Sequence, residues 1–301
     1  MPDNRTYHSV VLIKQVPDTR NISGEVMTAE GTMNRSALPA IFNPEDLNAL
    51  EMALSIREQK GGSVTVLTMG PMQAAEILRE ALYRGADRVV LLSDRKFAGA
   101  DTQATSYTLK CAVEKIGAYD MVFCGRQAID GDTAQVGPQV AEKLGIPQIT
   151  YAEAVLELKD DEIFVRRAFD LGIELVSCKL PCLLTVVGSA NQPRPASARK
   201  RIEYKLAAVP NEYPKLLERW PEFKDEQSLV EYLADHKLKI DVWNAAELGV
   251  QEAELGLAGS PTQVYKVNYV VLETTDSKEI LPTLEGIRAL IAELVREYIV
   301  D

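Results

Sequence analysis

Short, continuously apolar runs alternate with helical patterns through the first two-thirds of the chain. Residues 9–13 (SVVLI), 63–69 (SVTVLTM), 88–92 (RVVLL) and 119–124 (YDMVFC) lack the polar alternation of a half-exposed strand. Runs of this kind suit strands covered on both faces, as in a parallel sheet. The TVV within 181–187 predicts a further strand. Between the runs lie well-signed helices. In residues 43–62 Asn43 stands as N-cap, Pro44 at the first helical position and Glu45 and Asp46 in the first turn, with Gly61 and Gly62 as the stop. Residues 72–85 and 101–117 end on glycine in the same way. The β-α-β-α order predicts an α/β fold: a doubly wound, mostly parallel, Rossmann-like sheet with right-handed crossovers.

After Tyr151 the pattern changes. Residues 154–169 (AVLELKDDEIFVRRAF) alternate on either side of Asp160 and Asp161 and read as a hairpin. Residues 188–205 (GSANQPRPASARKRIEYK) carry two prolines and five lysines or arginines, which reads as an exposed arm or docking loop. A solvated linker accounts for that composition equally well. Residues 281–300 close the chain as an amphipathic helix. The expected division is an α/β domain over 1–190 and, over 191–301, an arm that ends in the terminal helix.

Composition then narrows the function. With 301 residues and 46% hydrophobic content the chain can bury a sizeable core. A formal charge of -11 argues against nonspecific nucleic-acid binding, which needs a basic surface. No window is long enough to span a bilayer and the first residues lack a secretory pattern, so a soluble, cytoplasmic protein is expected. Cys111, Cys124, Cys178 and Cys182 lie in or beside apolar runs and read as packing residues in a reducing compartment. His8 and His236 are the only histidines and read as surface residues, leaving little for a triad or metal cluster. No G-x-S-x-G, H-E-x-x-H or C-x-x-C is present, so any redox or group-transfer chemistry would have to come from a bound cofactor.

Residues 124–139 (CGRQAIDGDTAQVGPQ) follow a predicted strand and carry glycines at Gly125, Gly131 and Gly137. Loops of this kind lie at the carboxyl ends of strands, where ligands bind in open α/β sheets. Gly131 is expected to free the backbone, and Asp132 or Thr133 to cap a helix over 134–144. Unpaired amides at such a helix start suit a phosphate. Two carboxylates beside a phosphate would repel it, so Asp130 and Asp132 should turn to sugar hydroxyls, backbone amides or Arg126. The loop is neither Walker A nor G-x-G-x-x-G. A capped turn without ligand is the bland alternative.

VLIKQVPDT (11–19), NPEDLNALEMAL (43–54), LTMGP (67–71), RGADRVVLLSD (84–94), CGRQAIDGDTAQVGPQVAEKLGIP (124–147) and NQPRPAS (191–197) together resemble the beta subunit of electron-transfer flavoproteins, in the family's order. LGLAGSPTQV (255–264) extends the likeness. The resemblance implies a heterodimer with an FAD-binding alpha subunit. It also implies an adenine-nucleotide pocket built from Leu12, Asn43 and Met69 together with Gly125, Arg126, Gln127, Ala128, Ile129, Asp130, Gly131, Asp132, Thr133, Ala134, Gln135 and Val136. Asn43 as a mere cap and Met69 as core remain open.

Within that family the pocket holds either structural AMP or a second FAD. GADTQATSYTL (99–109), with Asp101, Thr102 and Thr105 opening a helix towards the same sheet edge, resembles the electron-bifurcating kind that holds FAD; capping alone also explains Asp101. That kind implies NADH as hydride donor and ferredoxin or flavodoxin as one acceptor. An acyl-CoA dehydrogenase-type or quinone-linked oxidoreductase would be the other. Arg126 would stabilise a flavin or phosphate anion, or else pair with Asp130. The apolar docking anchor that can follow the PR of NQPRPAS corresponds to Ala198 here, and residues 206–239 read as an insertion that either adds a partner surface or packs on the base domain. Outside the family, a stand-alone adenine-nucleotide sensor or hydrolase is the alternative.

Overall fold

A computed structural model describes residues 5–18, 39–169, 172–262, 278–297 and 299. Its strands are β1 (Tyr7–Ile13), β2 (Gln15–Pro17), β3 (Ala40–Phe42), β4 (Gly62–Met69), β5 (Arg88–Leu92), β6 (Met121–Gly125), β7 (Gln148–Lys159), β8 (Glu162–Phe169), β9 (Gly172–Lys179), β10 (Cys182–Val186) and β11 (Asp241–Trp243). All but β2 and β3, which pair with each other, join one nine-stranded sheet in the order β11-β5-β4-β1-β6-β10-β7-β8-β9. Neighbours from β11 to β7 are parallel, and β7, β8 and β9 run antiparallel. The expected mostly parallel α/β sheet is therefore present.

Helices α1 (Pro44–Lys60), α2 (Ala75–Arg84), α3 (Thr102–Ile116) and α4 (Val136–Leu144) cover the sheet from both sides. Leu50 and Leu54 of α1 and Leu78 of α2 pack with Val11, Val64 and Phe123 on one face. Leu109 and Val113 of α3 and Val140 of α4 pack with Val10, Leu12 and Val122 on the other. Successive strand residues point to opposite faces, so a strand buried on both must be apolar throughout. Each fully buried Leu or Val contributes about 1.5–3 kcal/mol against leaving it in water.

β9 escapes the hydrophobic pattern because two of its apolar residues face outward, Ile173 64% and Leu175 72% exposed, while Val176 and Cys178 pack half-buried on the core. The hairpin bends back over the α1 face. Tyr151 adopts φ 58, and register shifts follow between Ala152 and Ala154 and between Val155 and Glu157. At its tip the Asp160 carbonyl accepts from the Tyr7 hydroxyl at 3.2 Å. Ile163 and Val165 enter the α1-side core.

Beyond β10 the chain carries α5 (Ala198–Tyr204), α6 (Tyr213–Arg219), α7 (Glu226–Asp235), α8 (Ala245–Leu248) and α9 (Leu284–Arg296). Residues 206–239 pack on the base domain: Val209, Leu229 and Leu233 are fully buried in the α1-side core, and buried Arg79 of α2 donates through Nε to the Ala207 carbonyl at 2.7 Å. His8 departs from its expected surface place. Its half-buried ring bridges the Ala118 carbonyl (2.7 Å) and Thr65 Oγ1 (2.9 Å), whereas His236 is exposed. Of the cysteines, Cys124 and Cys182 are buried and Cys111 and Cys178 half-buried, all as free thiols.

The stretch 191–197 is pinned rather than free. Arg194 donates through Nε and Nη2 to the two oxygens of Glu51 (2.8 and 2.9 Å) and also pairs with Glu58. The side chain of Arg84 donates to the Arg194 carbonyl. Burial raises the Glu51 pKa, but the hydrogen bonds and charge of Arg194 outweigh it and hold it below the usual value; the same hydrogen bonds lower that of Glu58. A carboxylate lowered in the fold contributes stability that is present above its unfolded pKa and lost as pH falls through the folded one. In urea denaturation followed against pH, Arg194→Ala should cost about 1 kcal/mol at pH 7 and lose part of the wild-type decline on the acid side of the ordinary glutamate range.

Candidate functional site

The strand order reverses between β1 and β6, because β4 follows on one side of β1 and β6 lies on the other. A crevice opens at the carboxyl ends of strands at such a point. Three groups converge there: residue 14 after β1, the start of α1, and the loop that follows β6.

The start of α1 is built to hold that loop. Asn43 is fully buried at the N-cap position, yet its side chain caps nothing. Its Nδ2 donates to the Gln127 carbonyl at 2.9 Å and its Oδ1 accepts from the Ile129 amide at 3.2 Å. Glu45 Oε2 accepts from the Gln127 amide at 2.9 Å. Asp46 Oδ1 accepts from the Gly125 amide at 2.9 Å, and its Oδ2 from the Lys14 amide at 2.8 Å. Burial pushes the Asp46 carboxyl up to about 7, against the downward pull of these amides, of Asn43 and of the Lys14 charge. Burial, followed by the charges of Asp46 and Glu45, likewise pushes the Cys124 thiol up. Gly125 has no room for a side chain, since a Cβ there would lie 2.5 Å from Asp46 Oδ1.

Many loop amides are thereby occupied. Gly125, Gln127 and Ile129 donate to α1 side chains, Arg126 to the Val186 carbonyl, and Gly131 and Asp132 to the Ala128 carbonyl. The amides of Thr133, Ala134, Gln135 and Val136 have no acceptor among the described residues. Asp132 and Ala134 are left-handed, with φ of 50 and 52, and Gln135 returns to the right-handed region. Successive amides across such a reversal point into one concavity, a nest that fits an anion. The residues present therefore fit a phosphate at 133–136.

Several expectations change. The left-handed residues are Asp132 and Ala134; Gly131 is absent from the positive-φ glycines. Because of them α4 starts at Val136, with Gln135 at the N-cap and no side-chain cap from Asp132 or Thr133. Asp130 pairs with Lys14 Nζ at 2.7 Å, and Arg126 pairs with Glu45 at 3.2 Å rather than with Asp130. Asp132 accepts from the Gln127 side chain at 3.1 Å. Both aspartates thus turn to the protein's own donors, which removes part of their repulsion for a phosphate.

The helix-opening trio divides. Asp101 caps α3 through Oδ1, which accepts from the amides of Gln103 and Ala104, while its Oδ2 accepts from the Thr262 amide and hydroxyl. Thr102 joins the loop, its hydroxyl lying 2.9 Å from Gln135 Oε1 and 3.3 Å from Gln139 Nε2. Thr105 is half-buried one turn along α3. Leu12 is buried in the α3-side core and Met69 packs half-buried against it.

Lys14, Glu45 and Asp46 were missed as members of the site. A signal was available: Asp46 shares the buried stripe of α1 with Ala49, Leu50 and Ala53, and a carboxylate on an apolar stripe needs partners. No candidate metal cluster occurs among the described residues, nor any helix long and apolar enough to cross a membrane.

The fold and site define a doubly wound α/β protein with an anion-fitting loop at its switch point. The family model of the electron transfer flavoprotein domain matches residues 30–210. Electron transfer flavoprotein subunit beta of Thermoanaerobacterium thermosaccharolyticum is 47% identical over 255 residues, 85% of this chain and 85% of that protein. Its counterpart from Clostridium acetobutylicum is 41% identical over 291 residues, 96% of this chain and 98% of that protein. The caffeyl-CoA reductase-Etf complex subunit CarD of Acetobacterium woodii is 42% identical over 258 residues, 85% of this chain and 86% of that protein. The chain belongs to the electron transfer flavoprotein beta-subunit family, whose members serve electron-transfer complexes.

Asn43→Ala would leave the Gln127 carbonyl and the Ile129 amide without partners at a buried position. The expected cost is about 1–3 kcal/mol in chemical denaturation, with faster hydrogen exchange at Ile129.

Proposed function

We propose that the chain is the beta subunit of a heterodimeric, electron-bifurcating flavoprotein of the cytoplasm, and that the nest at 133–136 holds the phosphates of FAD. The observation that carries this reading is the set of four amides from Thr133 to Val136, beside the switch point, that have no acceptor among the described residues. When bound, FAD would supply the redox chemistry: acceptance of a hydride from NADH, with one electron passed to ferredoxin or flavodoxin and the other through the alpha-subunit FAD. The chain's own residues bind and orient. Asn43, Glu45 and Asp46 hold the loop's entry strand, the nest takes the negative charge, and Thr102 ties α3 to the loop through Gln135. Lys14 and Arg126 neutralise Asp130 and Glu45, which lowers the cost of an anion nearby.

The terminal helix supports the heterodimer. Leu284, Ile287, Ile291 and Val295 of α9 are 67%, 48%, 52% and 47% exposed and line one stripe. An apolar stripe of that length needs a cover, and the alpha subunit is the proposed one. The distal electron acceptor is proposed to be an acyl-CoA dehydrogenase-type or quinone-linked oxidoreductase, in keeping with relatives named as subunits of caffeyl-CoA and acryloyl-CoA reductase assemblies. A second reading, with AMP as a structural ligand and simple electron carriage, is favoured by Asp101. Its carboxylate is occupied by the α3 cap and Thr262, and so is not available to a ribityl chain or flavin ring.

Denaturing the purified heterodimer and analysing its nucleotides separates the readings. Two FAD per heterodimer is the expected result, one FAD with one AMP supports the second reading, and no nucleotide in the beta subunit overturns both. Ala134→Asp keeps a residue tolerant of the left-handed region but places a carboxylate in the nest. It should weaken beta-site nucleotide binding by at least about tenfold, roughly 1.4 kcal/mol, with the alpha-subunit flavin retained.

A further inference from the structure

The β1–β6 ladder ends at Leu12 and Cys124, and beyond that pair the strands part. Asp46 spans the gap with both of its oxygens, beside the Lys14–Asp130 ion pair and the Asn43 side chain that also tie the loop. Asp46 is 5% exposed; one of its oxygens accepts from the Lys14 amide on the β1 side and the other from the Gly125 amide on the β6 side. Two donors facing two oxygens suit an ionised carboxylate best. On protonation one oxygen carries the O–H and becomes a poorer acceptor, so the bond from the amide facing it weakens.

We propose that Asp46 is the positioning residue of the loop that follows β6, and that gain of a proton at Asp46 releases one side of the crevice. Ionised, it holds both strand ends at the separation of one carboxylate, with Gly125 lying against it. Protonated, it keeps one amide and weakens its hold on the other, so the loop's attachment to β1 or to β6 loosens.

The charged and titratable groups facing it are few. Lys14 lies on the β1 side, with Asp130 of the loop on its Nζ. Glu45 precedes Asp46 on α1 and is paired with Arg126 of the loop. Cys124 of β6 packs its thiol on the α3 side near Gly137 and feels the Asp46 charge. Burial already brings the carboxyl up to about 7, so the change falls in the neutral range.

Only the consequence for ligand rests on the nucleotide reading of the previous section. In that reading, loss of the latch loosens the nest, so AMP should bind more weakly as Asp46 is protonated. A pure charge effect has the opposite sign, since removing a nearby negative charge favours a phosphate.

The test uses the full chain labelled with 15N, titrated between pH 5.5 and 9 without ligand and then with AMP. The Lys14 and Gly125 amide resonances should move together with one midpoint. Lys14→Met, which removes the facing cation, should raise that midpoint. Asp46→Asn should abolish the joint titration. It should also remove a step of about fivefold in AMP affinity that the wild type shows across the same midpoint, the worth of one hydrogen bond. If Asp46→Asn does not fold, the wild-type titration and the Lys14→Met shift decide. Amides that titrate independently, or a midpoint unmoved in Lys14→Met, overturn the proposal, as does AMP binding that tightens when Asp46 is protonated. A joint titration without AMP binding at any pH overturns the AMP reading and leaves the latch standing.

Discussion

A single carboxylate buried at the end of the sheet organises the functional half of this protein. Asp46 reaches from the first turn of α1 to the amides of Lys14 and Gly125, the residues at which β1 and β6 give way to loops. Burying a charge is expensive unless it is hydrogen-bonded, and these donors supply part of that compensation. The other constraints follow from it. Gly125 must lack a side chain because Asp46 lies against it, and the close approach of α1 brings Glu45 and Asn43 within reach of the loop backbone.

The occupied amides explain where a ligand would go. The first part of the loop spends its donors on α1, on Val186 and on its own turn, which makes it a rigid support. The second part, reversed in hand at Asp132 and Ala134, has donors without an acceptor among the described residues. Rigidity before openness is what a binding site needs, because a held concavity loses little conformational freedom when it is filled. The acidic side chains that look unfavourable for a phosphate are already paired with Lys14, Arg126 and Gln127.

The later part of the chain serves two purposes. Residues 191–197 are tied to α1 through Arg194, gripped by Glu51 and Glu58, and the insertion with its buried Leu229 and Leu233 extends the α1-side core. The terminal helix does the opposite. Its apolar residues lie outward among the described residues, and they fit a protein whose family works in complexes.

Much of the fold was legible before any coordinates. Apolar runs mark both-faced burial, helix signals such as Pro44, Asp101 and the closing glycines are local, and the β-α order restricts topology, so the central strands and the first helices came out close to their observed bounds. β9 was hidden because Ile173 and Leu175 face outward, and the delayed start of α4 because left-handed φ at Ala134 is not a property of that residue type. The loop, too, was visible in its glycine spacing and in its resemblance to a family. The roles within it were not. Asn43 looked like a cap, Asp46 like a dipole partner and Asp130 like a mate for Arg126, because all three readings use neighbours in sequence. Their actual partners lie 32 to 116 residues away, and only the packing of α1 against β1 and β6 brings those amides and charges within hydrogen-bond reach.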